Sequence, residues 1–148
     1  MRYYGFANFM LSSIQQGVQN FHVIAEMFVK YKAPSAEHLI LHEWAECHKT
    51  AIFLNGGNAA GLRAVYDTLW KYCDELKLPF DKFHEDGDSL DSTMTACGII
   101  VPSYIVDMMS IVRSTPCDWT EYEQTYPGMP NLTAIEFAMY LNEFGLAR

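Results

Sequence analysis

Basic residues are scarce in this sequence of 148 residues. Ten Lys and Arg stand against 18 Asp and Glu, which gives a formal net charge of −8. Sequence-independent binding of nucleic acid depends on Lys and Arg side chains that neutralise phosphates. The composition therefore argues against an extended nucleic-acid-binding surface, although a local basic patch remains compatible with it.

Long apolar runs and paired cysteines are also missing. No apolar run approaches the roughly 20 residues of a membrane span, and the N-terminus lacks the basic and apolar regions of a secretory signal. The cysteines, Cys47, Cys73, Cys97 and Cys117, form no C-x-x-C pair, which argues against a zinc ribbon or a thioredoxin-like site. Half of the residues are hydrophobic. We therefore expect one globular domain in the cytoplasm, with reduced thiols and no membrane partner.

The stretch from Leu11 to His22 organises the chain. It follows an alternating aromatic segment, Tyr3 to Phe9, that is typical of a strand. Ser12 and Ser13 then stand where a helix N-cap belongs, because a serine oxygen can accept from an unpaired helical N–H. Helical spacing predicts a core stripe on this helix, made of Ile14, Val18, Phe21, Ala25, Phe28 and Val29.

A polar row runs beside that predicted stripe. Gln15, Gln19, His22 and Glu26 are spaced by four, three and four residues, so they share one side of the helix. The row lies about a quarter-turn from the stripe. Two interpretations stay open, namely the wall of a site that starts at the helix N-terminus and a solvated helix face.

Two further segments contain residues that could bind a ligand. His38 and His42 are spaced to share a metal, but no third ligand is evident, and Glu46 stands where the zincin helix motif needs its second histidine. The turn 55–58, Asn-Gly-Gly-Asn, could bind phosphate at the next helix N-terminus, yet it lacks the lysine and spacing of a P-loop. We predict no metal and no cofactor, with ordinary histidines and a plain connection.

The order of the predicted elements gives the fold class. After the first helix we expect a helix from Ser35 to about Cys47, strands over 49–54, 80–85 and 93–101, and a helix capped by Asn58. The order implies an α/β domain whose sheet is covered on both faces. Residues 1–102 would form this core. Residues 103–148 would form a helical C-terminal extension, packed on the core or on a second subunit.

The segment 11–23, LSSIQQGVQNFHV, resembles a motif of the type 2 peptidyl-tRNA hydrolases, M-S-x-G-K-x-A-A-Q-x-x-H-A, and aligns with it without a gap. Ser12, Gln19 and His22 match by identity. Downstream, Glu85-Asp86-Gly87 is similar to the family's Asp-Ala-Gly turn, and Thr95-Ala96 to its final strand with a threonine. The resemblance covers about residues 2–102 and is closest to divergent members found in phage genomes. It implies a small mixed four-stranded sheet with helices on both faces.

The resemblance also implies roles for particular residues. His22 and Glu85 would be catalytic, and Ser12, Gln15, Gln19 and Thr95 would bind substrate, with no metal and no cofactor. The partner would be tRNA, cleaved at the ester that joins it to a peptide. The chain departs from the family where Ile14-Gln15 replaces Gly-Lys and where Glu85 replaces Asp.

Two other classes of function stay open. The first is a repurposed pocket that binds or slowly cleaves a small nucleotide or nucleotide-derived signal, as in phage counter-defence. An acidic protein can bind such a ligand through stacking and backbone amides without a large basic surface. The second is a non-catalytic scaffold, and a homodimer is compatible with each class.

Overall fold

A four-stranded mixed sheet forms the centre of the molecule. The computed structural model describes residues 1–85, 93–114 and 132–146. Within them β1 (Arg2–Ala7), β2 (Ala51–Asn55), β3 (Phe80–His84) and β4 (Met94–Val101) are ordered β2-β1-β4-β3. β1 is parallel to β2 and antiparallel to β4, and β3 is antiparallel to β4. The predicted α/β class is confirmed, and the sheet is open and mixed.

Five α-helices surround this sheet in the described part of the chain. They are α1 (Ser13–Lys30), α2 (Ala36–Glu43), α3 (Ala59–Leu76), α4 (Ser103–Ser114) and α5 (Leu132–Leu141). A π-helical turn, Trp44–His48, extends α2. The N-cap residues of the first three helices are Ser12, Ser35 and Asn58. Each of their side chains accepts a hydrogen bond from the backbone N–H three residues later. These caps satisfy amides that the first turn leaves unpaired.

The helices divide between the two faces of the sheet. α3, α4 and α5 enclose the larger core with one face, and the residues of α4 and α5 belong to the same apolar cluster as those of β1 and β4. α1 and α2 cover the opposite face over a smaller cluster that includes Tyr3, Val23, Met27 and Trp44. No helix of the described residues is long and apolar enough to cross a membrane.

Helix α1 packs on the sheet through the opposite side from the one predicted. Its buried residues are Gln16, Gln19, Asn20, Val23 and Met27. The predicted core stripe instead faces outward, with Ile14 81%, Val18 46%, Phe21 67% and Val29 67% exposed. The prediction of a core stripe on α1 was therefore wrong by about half a helical turn.

Two glycines explain why polar side chains of α1 can face the sheet. Gly5 of β1 and Gly98 of β4 are paired directly across the two strands. A β-carbon on Gly5 would collide with Asn20 Oδ1, and one on Gly98 would collide with the Tyr3 hydroxyl. The missing β-carbons thus form a recess, in which the Tyr3 hydroxyl donates to Asn20 Oδ1 at 2.9 Å. Because Asn20 is hydrogen-bonded there, its burial is not penalised.

Candidate functional site

Three polar side chains from distant parts of the chain meet beside α1. Gln19 Nε2 donates to Glu85 Oε1 at 2.5 Å, and Thr95 Oγ1 donates to Gln19 Oε1 at 3.1 Å. Gln19 and Thr95 are 7% and 1% exposed, whereas Glu85 is half-buried. We call these three residues the Gln19 network. Because both ends of its amide are bound, the Gln19 side chain has a single favoured orientation.

The sheet brings Glu85 and Thr95 to the same side. Glu85 directly follows β3, and its N–H donates to the Thr93 carbonyl at 3.2 Å. The pairing of β3 with β4 shifts by one residue there, since Phe83 faces Ala96 while His84 faces Met94. Thr95 is the extra residue of this β-bulge. A bulge interrupts the alternation of side chains, which lets Thr95 reach Gln19 on the α1 side of the sheet.

His22 lies one turn after Gln19 on α1. Its ring packs against Phe83 of β3, with 4.4 Å between the ring centroids and an angle of 53° between the planes. Its Nδ1 is buried, and no partner among the described residues bonds to it. A buried nitrogen without a hydrogen-bond partner destabilises the fold. A ligand or a water molecule that bonded to Nδ1 would remove this penalty.

Ser12 and Gln15 form hydrogen bonds with each other. Gln15 Oε1 accepts from the backbone N–H and the hydroxyl of Ser12, at 3.0 and 2.9 Å, while the Gln15 N–H donates to Ser12 Oγ at 3.3 Å. This capping box stabilises the start of α1. Of the residues predicted to share a site, the structure therefore brings together Gln19, Glu85 and Thr95 in direct contact. Ser12 and Gln15 lie at the helix N-terminus, and Glu26 is exposed.

The Gln19 network has the components of an acid–base site. A carboxylate that receives one hydrogen bond on Oε1 keeps further lone pairs with which to orient or deprotonate water. The Gln19 amide, which is itself held by the Thr95 hydroxyl, fixes the position of that carboxylate. His22, one turn after Gln19 on α1, adds an imidazole ring on the same side of the sheet.

The two alternative ligand segments have internal partners. The Asn55 side chain accepts from the Gly57 N–H at 2.9 Å, and Asn58 accepts from the Gly61 N–H at 3.0 Å, which favours a plain connection in this turn. The rings of His38 and His42 contact each other with 4.1 Å between their centroids and an angle of 43° between their planes. No group of three or more His, Cys, Asp or Glu side chains in the described ranges could hold a metal ion.

A cavity of about 250 Å³ lies elsewhere, between β1, α4 and the end of α5. Arg2 and Arg113 line it, and Arg113 Nη2 donates to Asn142 Oδ1 at 2.9 Å. Its lining includes Tyr4, which belongs to the larger core on the other face of the sheet from α1. This cavity is therefore separate from the Gln19 network.

Sequence reasoning missed several residues around the network. Phe83, which supports the ring of His22, and Asn20, which anchors α1 in the glycine recess, were not predicted. The alternation of β3 could have indicated Phe83. Asn20 depends on the pairing of Gly5 with Gly98, which no local pattern reveals.

Comparison with known proteins adds no assignment. No protein-family model matches the chain, and no curated protein matches it in sequence. The candidate site consequently rests on the geometry of Gln19, Glu85, Thr95 and His22.

Proposed function

We propose that the protein is a divergent member of the type 2 peptidyl-tRNA hydrolase class that cleaves, feebly, the ester between a peptide or blocked amino acid and tRNA. The observation that carries the proposal is the Gln19 network. It joins residues 66 and 76 positions apart in the chain. All three of its members align with polar positions of the family motifs.

The fold is compatible with this proposal. The elements follow the order that the resemblance implies for residues 2–102. This order is one strand, two helices, one strand, one helix and two strands. Both faces of the sheet are covered, as the resemblance also implies. A shared order of elements does not define an activity, so the argument rests on the side chains.

Glu85 would act on the attacking water. Its Oε1 is held by Gln19, so Oε2 would accept the proton of a water molecule that attacks the ester carbonyl. The carboxylate would then return the proton to the departing ribose oxygen of the tRNA. Gln19 carries a second amide hydrogen that can bind the ester carbonyl, and Thr95 keeps the amide turned toward Glu85.

His22 would position the substrate or the water. Its buried Nδ1 needs a partner, and a substrate hydroxyl or a water molecule would supply one. Phe83 holds the plane of the ring, which fixes the direction of that bond.

Gln15 limits the expected rate. The family places a lysine at the aligned position, whereas this chain has a neutral amide that bonds Ser12. A neutral amide supplies no full positive charge to a developing oxyanion. Loss of one good oxyanion donor costs about 10²–10³ in rate. The acidic composition also weakens capture of a polyanionic tRNA, so low ionic strength favours the reaction.

The test is single-turnover hydrolysis of an N-blocked aminoacyl-tRNA at low salt. We expect slow release of the blocked amino acid by the wild type, and a loss of about 10²–10⁴-fold in Glu85→Gln, because the amide cannot accept the proton. Thr95→Val should lose less, since it only frees the Gln19 amide to rotate. Gln15→Lys should raise the rate, because it restores a cation at the helix N-terminus.

Glu26→Gln is the matched control. It removes one negative charge from an exposed position of the same helix, so it tests whether lower net charge alone improves tRNA capture. Titrations with mono-, di- and cyclic nucleotides accompany the assay. Absence of cleavage by every variant would overturn the proposal. Tight binding of one small nucleotide would then favour the repurposed pocket.

A further inference from the structure

The outward face of α1 is apolar along its whole length. Its residues are Ile14, Val18, Phe21, Ala25 and Val29, which we call the α1 outer stripe. All five are exposed, and Ile14, Phe21 and Val29 are at least two-thirds exposed. A row of this kind at core spacing is unusual on a monomer surface and typically marks an interaction site.

The chemistry of the stripe points to a protein partner. It contains no charged side chain, and the chain as a whole carries a net charge of −8. Nucleic acid is bound through cations, so it does not match this surface. An apolar helix face instead matches another apolar helix face, packed at a separation of 8–10 Å.

The order of side chains along the stripe is self-complementary. In an antiparallel pair of α1 helices with a two-fold axis near Phe21, Ile14 lies opposite Val29 of the second copy and Val18 opposite Ala25. Phe21 then lies beside its own symmetry mate. A two-fold interface requires one surface to fit itself, and this register places an apolar residue against an apolar residue along the full length.

Gly17 supplies a second, independent observation. A β-carbon at this position would meet nothing within 4 Å, whereas those on Gly5, Gly56 and Gly98 would collide with the chain's own atoms. Glycine inside a helix costs about 1 kcal/mol relative to alanine, and no atom of the described residues lies close enough to require it here. In the antiparallel register Gly17 lies near Ala25 of the second copy, so these small residues let the two helix backbones approach closely.

We propose that two copies of this chain form a homodimer through the α1 outer stripe, with the helices antiparallel and the two-fold axis near Phe21. The stripe covers 15 residue steps, about 22 Å of helix. One pair of helices of this length buries less than the roughly 1,600 Å² of a standard interface, so the dimer should be weak and dependent on concentration. This inference does not rest on the proposed hydrolase activity.

The first test measures mass by sedimentation at increasing concentration and ionic strength. We expect twice the monomer mass at high concentration in the wild type, and stronger association at high salt, because salt screens the repulsion between two acidic subunits. Phe21→Asp should raise the dissociation constant by at least a hundredfold. Met139→Asp, an exposed apolar residue on α5, is the matched control and should leave the mass unchanged.

Gly17→Gln separates the interface from the fold. The new side chain occupies the space between the helices and should raise the dissociation constant at least tenfold. It should also leave the monomer at least as stable, because glutamine favours the helix. A variant that is stable but monomeric supports the proposal even where Phe21→Asp disturbs folding.

Cysteine cross-linking tests the register. In a background in which Cys47 and Cys117 are replaced by serine, oxidised Phe21→Cys should form a disulfide-linked dimer, because the two residues meet near the axis. Ile14→Cys alone should form no disulfide-linked dimer, and its mixture with Val29→Cys should cross-link. A wild type that stays monomeric at every concentration would overturn the proposal. So would a dimer that survives Phe21→Asp, or one that dissociates in salt.

Discussion

The two faces of the sheet are built differently. In the described ranges the face covered by α3, α4 and α5 holds 23 buried apolar residues, whereas the face covered by α1 and α2 holds seven. Four polar residues of the described ranges are buried, and all are on α1 or bonded to it: Gln16, Gln19, Asn20 and Thr95. Burial of apolar area stabilises the fold, while buried polar groups at best offset their own desolvation. The comparison indicates that one face supplies most of the stability, whereas the other holds the buried polar groups.

The largest expected effect comes from a substitution in the core of the apolar face. Phe137 of α5 is fully buried and packs against the ring of Tyr72, with centroids 5.2 Å apart. Phe137→Ala should lower the free energy of unfolding by about 3–5 kcal/mol, because it removes buried area and leaves a cavity. Urea denaturation of the wild type and the variant measures this difference in the free energy of unfolding. A loss under about 1 kcal/mol would show that this core is not the main source of stability.

A smaller effect tests the glycine recess under α1. Gly5→Ala should lower the free energy of unfolding by about 1–3 kcal/mol, because its β-carbon would displace Asn20. Gly17→Ala is the control on α1 itself, where nothing lies within 4 Å, and should raise stability by up to about 1 kcal/mol. If the two substitutions had equal effects in urea denaturation, the recess would not control the packing of α1.

The smallest effect concerns Tyr66, which belongs to the apolar face, at alkaline pH. Burial, aided by the negative charge of Asp81, raises the pKa of Tyr66 to about 12, against an ordinary value of 10.0. The stability linked to neutral Tyr66 is therefore complete below pH 10 and is lost as pH rises toward 12. Tyr66→Phe should unfold less readily than the wild type at pH 11, by about 1 kcal/mol after correction for their difference at pH 8. A difference that does not change with pH would contradict this.

Local signals predicted the helix starts and the strands well. Ser12, Ser35 and Asn58 act at the first turn, and their effect depends on the following three residues alone. Ends were less accurate. Pro34 disfavours a helical conformation in the residue before it, which predicts an end of α1 near Ala33, but the helix stops at Lys30. Asp86 and Gly87, the rest of the segment that is similar to the family's Asp-Ala-Gly turn, lie outside the described residues.

The orientation of α1 could not be read from its periodicity. Helical spacing shows which residues share a side, but α1 has an apolar side and a polar side half a turn apart. Hydrophobicity alone selects the apolar side as the core. The outcome depends on Gly5 and Gly98, whose pairing across two strands is a tertiary fact. The expectation that Gln19, Glu85 and Thr95 share a site came from the resemblance, because no local pattern relates residues 66 and 76 positions apart.

The edge position of β3 sets how long the Gln19 network persists. Among the described strands β3 pairs only with β4, and Glu85 follows β3 directly. Edge strands open through local fluctuations far smaller than global unfolding. Each opening would separate Glu85 from Gln19 while the core under α3 stays intact. The lifetime of the network is therefore governed by the fraying of one strand rather than by the melting temperature of the whole protein.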